Sequence, residues 1–70
     1  APAPDAAFLL LLNAYWEGVA FTLPAPPAGA RWEVVADTDE PELQPGQRFF
    51  APGAVNIIGP RSLALLREAR

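Results

Sequence analysis

Cysteine, histidine, methionine and lysine are all missing from these 70 residues, and Ser62 is the single serine. Without cysteine or histidine, neither a disulfide nor a zinc site braces the fold. The same gaps remove the familiar nucleophile–base pairs: Ser62 has no imidazole to activate it, and no thiol stands in for it. All side-chain positive charge rests on Arg31, Arg48, Arg61, Arg67 and Arg70, which are scattered along the chain. With a net charge of −3 and no dense basic face to neutralise phosphates, the composition argues against nucleic-acid binding. The apolar run Phe8 to Leu12 is far short of the ~20 residues a membrane span needs. Asp5, not a positive residue, precedes it, so the run is read as interior structure and no membrane partner is expected. The lack of cysteine suits a reducing compartment, and a cytoplasmic location is expected.

What the chain does have is apolar residues, 51% of the total. A domain of this size buries only about 60% of the surface its unfolded chain exposes. Some of the apolar excess is therefore expected to be covered by something outside the domain, either a larger parent protein or a second copy.

The organising stretch is Ala7 to Pro24. Phe8 to Asn13 is read as a first strand, covered on both faces because it is solidly apolar. Gly18 to Leu23 is read as a second, with Val19, Phe21 and Leu23 facing one way and Ala20 and Thr22 the other. The two are taken as an antiparallel pair joined by a loop. Helix is the rival for the first segment, since Asp5 suits an N-cap, Gly18 a C-cap, and leucine is a strong helix former. The brevity of the run and the period-two segment behind it favour strand.

Downstream, Pro24 to Gly29 halts regular structure. Arg31 to Asp37 predicts a third strand, with Trp32, Val34 and Ala36 on one face and Glu33, Val35 and Asp37 on the other. Thr38 to Gly46 predicts an exposed acidic loop. Arg48 to Phe50 and Val55 to Ile58 are further strands, the latter on its β-branched residues. The tail from Ser62 has helix propensity, with Ser62 as a possible cap. A helix that short is marginal in water, and propensity leaves the tail open between helix and a strand through Leu66 with a frayed end. The organisation expected is a 1–6 linker of Ala/Pro composition, a 7–68 domain and a 69–70 frayed tail.

In order and spacing, Phe8-Leu9-Leu10-Leu11-Leu12-Asn13-Ala14, Val19-Ala20-Phe21-Thr22-Leu23-Pro24, Gly29 with Trp32 to Thr38, and Pro60-Arg61-Ser62-Leu63-Ala64-Leu65-Leu66-Arg67 form a pattern. It resembles the C-terminal domain of bacterial glycogen debranching enzymes, the isoamylase-like branch of the α-amylase superfamily. The resemblance implies an all-β fold, a small antiparallel β-sandwich of the kind found C-terminal to (β/α)₈ barrels, and decides the tail in favour of strand. It implies a non-catalytic accessory domain, and a parent that hydrolyses α-1,6-glucosidic branch points in glycogen. Its partner would be the catalytic barrel of the parent chain, with no cofactor. Two departures from the pattern stand out: the aromatic pair Tyr15-Trp16 in the first loop, and a long approach, Ala51 to Ile58, to the last strand.

No catalytic residue is expected here. Retaining glycoside hydrolysis needs two carboxyl groups about 5–5.5 Å apart across a cleft. The dense carboxylate set, Asp37, Asp39, Glu40 and Glu42, looks instead like a solvated turn, and it lacks the order of a calcium loop. The binding candidates are Tyr15 and Trp16, whose rings could stack on glycogen or another α-glucan. The competing expectation, which the small size of the core favours, is that they cover its open edge. Trp32, on an alternating strand, is assigned to the core, and Asn13 to satisfying loop backbone groups. Arg61 and Arg67 are candidates for pairing with acids of a neighbouring domain. Three functions follow: an accessory domain seated on a barrel, a carbohydrate-binding module, and a stand-alone module that dimerises through an open β-edge.

Overall fold

The computed structural model describes residues 7–26 and 31–69. All regular structure there is strand: β1 (Phe8–Asn13), β2 (Val19–Thr22), β3 (Arg31–Asp37), β4 (Phe49–Phe50), β5 (Val55–Ile58) and β6 (Ser62–Ala69). The first segment is thus strand, not helix. β1, β6, β3 and β4 form a four-stranded antiparallel sheet in that order, and β2 with β5 forms a second, two-stranded sheet. The fold is the small antiparallel β-sandwich that the sequence led us to expect. The suggested linker, residues 1–6, lies outside the described residues.

The pairing of the first two strands differs from the expectation. β1 does not pair with β2; it pairs with β6, from Phe8 opposite Arg67 to Asn13 opposite Ser62. β2 pairs with β5, from Val19 opposite Ile58 to Thr22 opposite Val55. The two ladders are consecutive lengths of one antiparallel ribbon. One leg is β1 followed by β2, the other β5 followed by β6, and both legs turn from one sheet into the other at the same corner. Such a corner lets a single ribbon supply both layers of a sandwich. The corner holds Ala14 to Gly18 on one leg and Gly59 to Arg61 on the other. Arg61 takes a left-handed backbone there, at φ 50°.

Between the layers lie Leu11, Leu23, Trp32, Val34, Ile58, Ala64 and Leu66, all buried, with Leu9, Phe21, Leu43 and Phe50 packed around them. Most come from alternate positions on paired strands, as Leu11 opposite Ala64 and Leu66 opposite Val34 show. Trp32 is in the core as assigned, and its indole Nε1 donates to the Pro24 carbonyl at 2.7 Å. That bond ties the chain leaving β2 to the middle of the larger sheet.

Strand β3 breaks its own alternation. Val34 pairs with Leu66 and Ala36 with Leu65, so β3 spends one extra residue, a β-bulge at Val35. Beyond it the faces exchange. Ala36 becomes exposed and Asp37 is buried, against the expectation that Ala36 shares a face with Trp32 and Val34. The buried Asp37 carboxylate is used locally, accepting the Asp39 amide at 2.9 Å to start the turn that leaves the sheet.

Strand β6 runs three residues past Leu66, to Ala69. Its far end is held on both sides. Arg31 pairs with Ala69, and the Glu68 amide donates to the Ala7 carbonyl at 2.9 Å. The Glu68 carboxylate in turn accepts the Ala7 amide at 2.8 Å.

Candidate functional site

Asn13 is the last residue of β1, and its side chain is 3% exposed. Its amide nitrogen, Nδ2, donates to the carbonyls of Glu17 at 2.7 Å, Gly59 at 2.9 Å and Ile58 at 3.1 Å. Its Oδ1 accepts the Tyr15 amide at 2.9 Å. One side chain therefore satisfies main-chain groups on both legs of the corner, which are otherwise hard to pair inside a turn. The assignment of Asn13 to loop backbone groups holds, and the structure adds the second leg, 45 and 46 residues away. The corner is closed by a further bond, the Arg61 amide donating to the Tyr15 carbonyl at 3.0 Å.

The loop so pinned presents Tyr15 and Trp16. Their rings stack with centroids 4.5 Å apart and planes 20° apart. Tyr15 is 50% and Trp16 65% exposed. Neither belongs to the core, so the expectation that they cover its edge is not met. The partly buried side chains packed against the core are instead Ala7, Leu9, Phe21, Leu43 and Phe50. The Trp16 indole nitrogen reaches the Glu17 carboxylate at 3.4 Å.

A second feature lies on the outer face of the larger sheet. Phe8, Leu10 and Leu12 project there and are 57%, 61% and 63% exposed. Their partners across the ladder are Arg67, Leu65 and Leu63, so the two leucine pairs form a continuous apolar strip. The run read as covered on both faces is thus covered on one. Its other side has no cover among the described residues. Toward β3 and β4 the same face turns polar: Arg67 Nη2 donates to the Glu33 carboxylate at 2.8 Å, the Gly46 turn lies against that carboxylate, and the Arg31 guanidinium sits 3.9 Å from the Phe49 ring centre. Arg67, a candidate for an acid on another domain, has an acid of its own.

Two carboxylates of the acidic segment have local partners. Asp37 is occupied by its turn, and Glu40 pairs with Arg48 through two guanidinium nitrogens, one of them Nη2 at 3.2 Å. No cluster of carboxylates suited to a metal ion and no pocket occurs among the described residues. The Arg48 hydrogen bond, partly opposed by desolvation, holds the Glu40 carboxyl below its ordinary range. A carboxyl depressed by folding stabilises at neutral pH and ceases to do so as pH falls through its folded value. Glu40→Gln is expected to leave the melting temperature near pH 7 almost unchanged, because exposed pairs contribute little. It should flatten the decline of that temperature below the ordinary glutamate range by no more than the same small amount. Parallel melting curves for both proteins down to pH 3 would show the pair to be idle.

Two kinds of comparison bear on what this arrangement belongs to. The family described as "Isoamylase, C-terminal" matches residues 2–69. The isoamylases of Pseudomonas amyloderamosa and of Pseudomonas sp. (strain SMP1) are each 43% identical over 47 residues. That stretch is 67% of this chain but 6% of each relative, so the chain spans a small part of their length. A bent ribbon making an all-β sandwich, an apolar outer sheet face and a match over nearly every residue agree, and the chain belongs to the isoamylase C-terminal domain family.

Proposed function

We propose that this domain is a non-catalytic accessory unit of a debranching glycoside hydrolase, one that cleaves α-1,6-glucosidic branch points in glycogen, and that it supports the enzyme's catalytic barrel by packing against it. The observation that carries this reading is the strip of Phe8, Leu10 and Leu12, each more than half exposed, beside the half-buried Leu63 and Leu65. Water is an expensive neighbour for so much contiguous side chain, since fully burying one leucine or phenylalanine is worth about 1.5–3 kcal/mol. The relatives support this occupant: most of each one's length lies outside the matched part, which is ample protein to cover a sheet face. The sequence has no histidine or cysteine, and the described residues hold no pocket, which supports a contribution to fold and placement rather than to bond cleavage.

The outer face of the smaller sheet is a poorer candidate. It offers Val55 and Ile57, 54% and 68% exposed, opposite Thr22 and Ala20. Two substitutions separate the faces in the full-length enzyme. Leu10→Ser should lower stability by about 2–5 kcal/mol, the cost of removing a leucine from a packed interface. Ile57→Ser should stay within about 0.5 kcal/mol, as for an ordinary surface position. Thermal midpoints of the two variants test this, and equal midpoints would mean that the leucine strip stays in water.

A further inference from the structure

We propose that Tyr15 and Trp16 form a stacking platform for the glucose rings of an α-glucan chain, a polymer contact outside the catalytic machinery. The identity of the polymer rests on the debranching reading above; the platform itself rests on the corner geometry.

Two large rings are held in water and in mutual contact, with centroids 4.5 Å apart, although neither stabilises the core. They are displayed by a loop that is fixed from below. The amide of Tyr15 donates to Asn13, its carbonyl accepts from Arg61, and the carbonyl of Glu17 accepts from Asn13. Both ends of the pair are therefore set by partly buried hydrogen bonds, and little main-chain freedom remains to be lost when a ligand arrives. The stacking restricts the side chains in the same way. A platform ordered in advance differs from a loop whose aromatics are merely exposed.

The chemistry of the surface selects its ligand. Flat apolar faces next to a polar atom suit a molecule with an apolar C–H face and a hydroxyl rim, which describes a pyranose ring. Glu17, exposed beside Trp16, is an acceptor for sugar hydroxyls. Nucleic-acid bases would also stack, but the chain has no lysine and a net charge of −3, so its scattered arginines make no basic face to neutralise the phosphates. Arg61 stands across the corner in a left-handed backbone conformation that a non-glycine residue seldom adopts. Its amide, by bonding Tyr15, helps fix the loop.

The test uses the full-length enzyme and its Trp16→Ala and Trp16→Phe variants. Migration through native gels of increasing glycogen content reports polymer affinity, and cleavage of a small branched oligosaccharide reports the catalytic site. The expected result is an about five-fold weaker glycogen affinity for Trp16→Ala, with partial recovery in Trp16→Phe and no change in oligosaccharide cleavage or melting temperature. Unretarded wild-type enzyme, or equal retardation of wild type and Trp16→Ala, overturns the proposal. So does a lower melting temperature for Trp16→Ala, which marks the pair as a protein contact. Failure of the wild type to cleave branch points would instead overturn the debranching reading, whatever the gels show.

Discussion

Asn13→Ala is expected to destabilise the domain by about 3–5 kcal/mol, since a hydrogen bond nets about 0.5–1.5 kcal/mol and each buried group left unpaired costs about 1–3 kcal/mol. The substitution strands the carbonyls of Glu17, Ile58 and Gly59 and the amide of Tyr15. Some of these groups will recover water, which is why the figure is below the sum of the penalties. Domains are stable by only ~0.05–0.15 kcal/mol per residue, so the loss is a large share of what this one has. Asn13→Asp should be no better: it keeps the acceptor for Tyr15 but turns a carboxylate toward three carbonyl oxygens. Native-state hydrogen exchange in the full-length protein reads the effect, because the amides of β1, β2, β5 and β6 should lose protection together. Protection lost only near residue 13 would show that the corner is held by the strands and not by this side chain.

The second large effect is expected at Trp32. It is 2% exposed, pairs with Phe50 on one side and Glu68 on the other, and bonds Pro24 through its indole. Trp32→Ala should cost about 3–5 kcal/mol through the cavity alone, with the Pro24 carbonyl unpaired in addition. Trp32→Phe should recover part of the packing but not the hydrogen bond. The contrast with the other tryptophan is a built-in control: Trp16→Ala removes a ring of similar size from an exposed loop and should leave stability within about 0.5 kcal/mol. Thermal midpoints of the two alanine variants decide the matter. Similar losses for both would contradict the burial assigned to each.

These effects fall on residues whose roles were legible to different degrees. Trp32 announces itself, because it sits in an alternating strand where a large apolar side chain has one reasonable direction to point. Asn13 is half legible. A polar residue ending an apolar run signals a turn, yet nothing local says that its amide will meet a segment 45 residues later. Tyr15 and Trp16 were visible as candidates, but their exposure was not, since the same residues would serve equally as a lid over a small core. The Val35 bulge left no mark that pattern could detect. A bulge is a property of two strands in register, and its result, Asp37 in and Ala36 out, inverts the face assignment made from one strand alone.

The leucine strip shows where the boundary lies. An unbroken apolar run was read as covered on both sides, and in the folded domain one of those sides faces outward. Hydrophobicity states the demand for burial without naming what meets it.

Most strand positions and the core tryptophan were thus determined by the chain's own residue order, because period and turn chemistry are local. Which strand lies beside which, where the ribbon bends, which leucines remain uncovered and how the aromatic pair is displayed were decided only by the tertiary structure. Each of those depends on contacts between segments far apart in the chain, and local propensity carries no information about them.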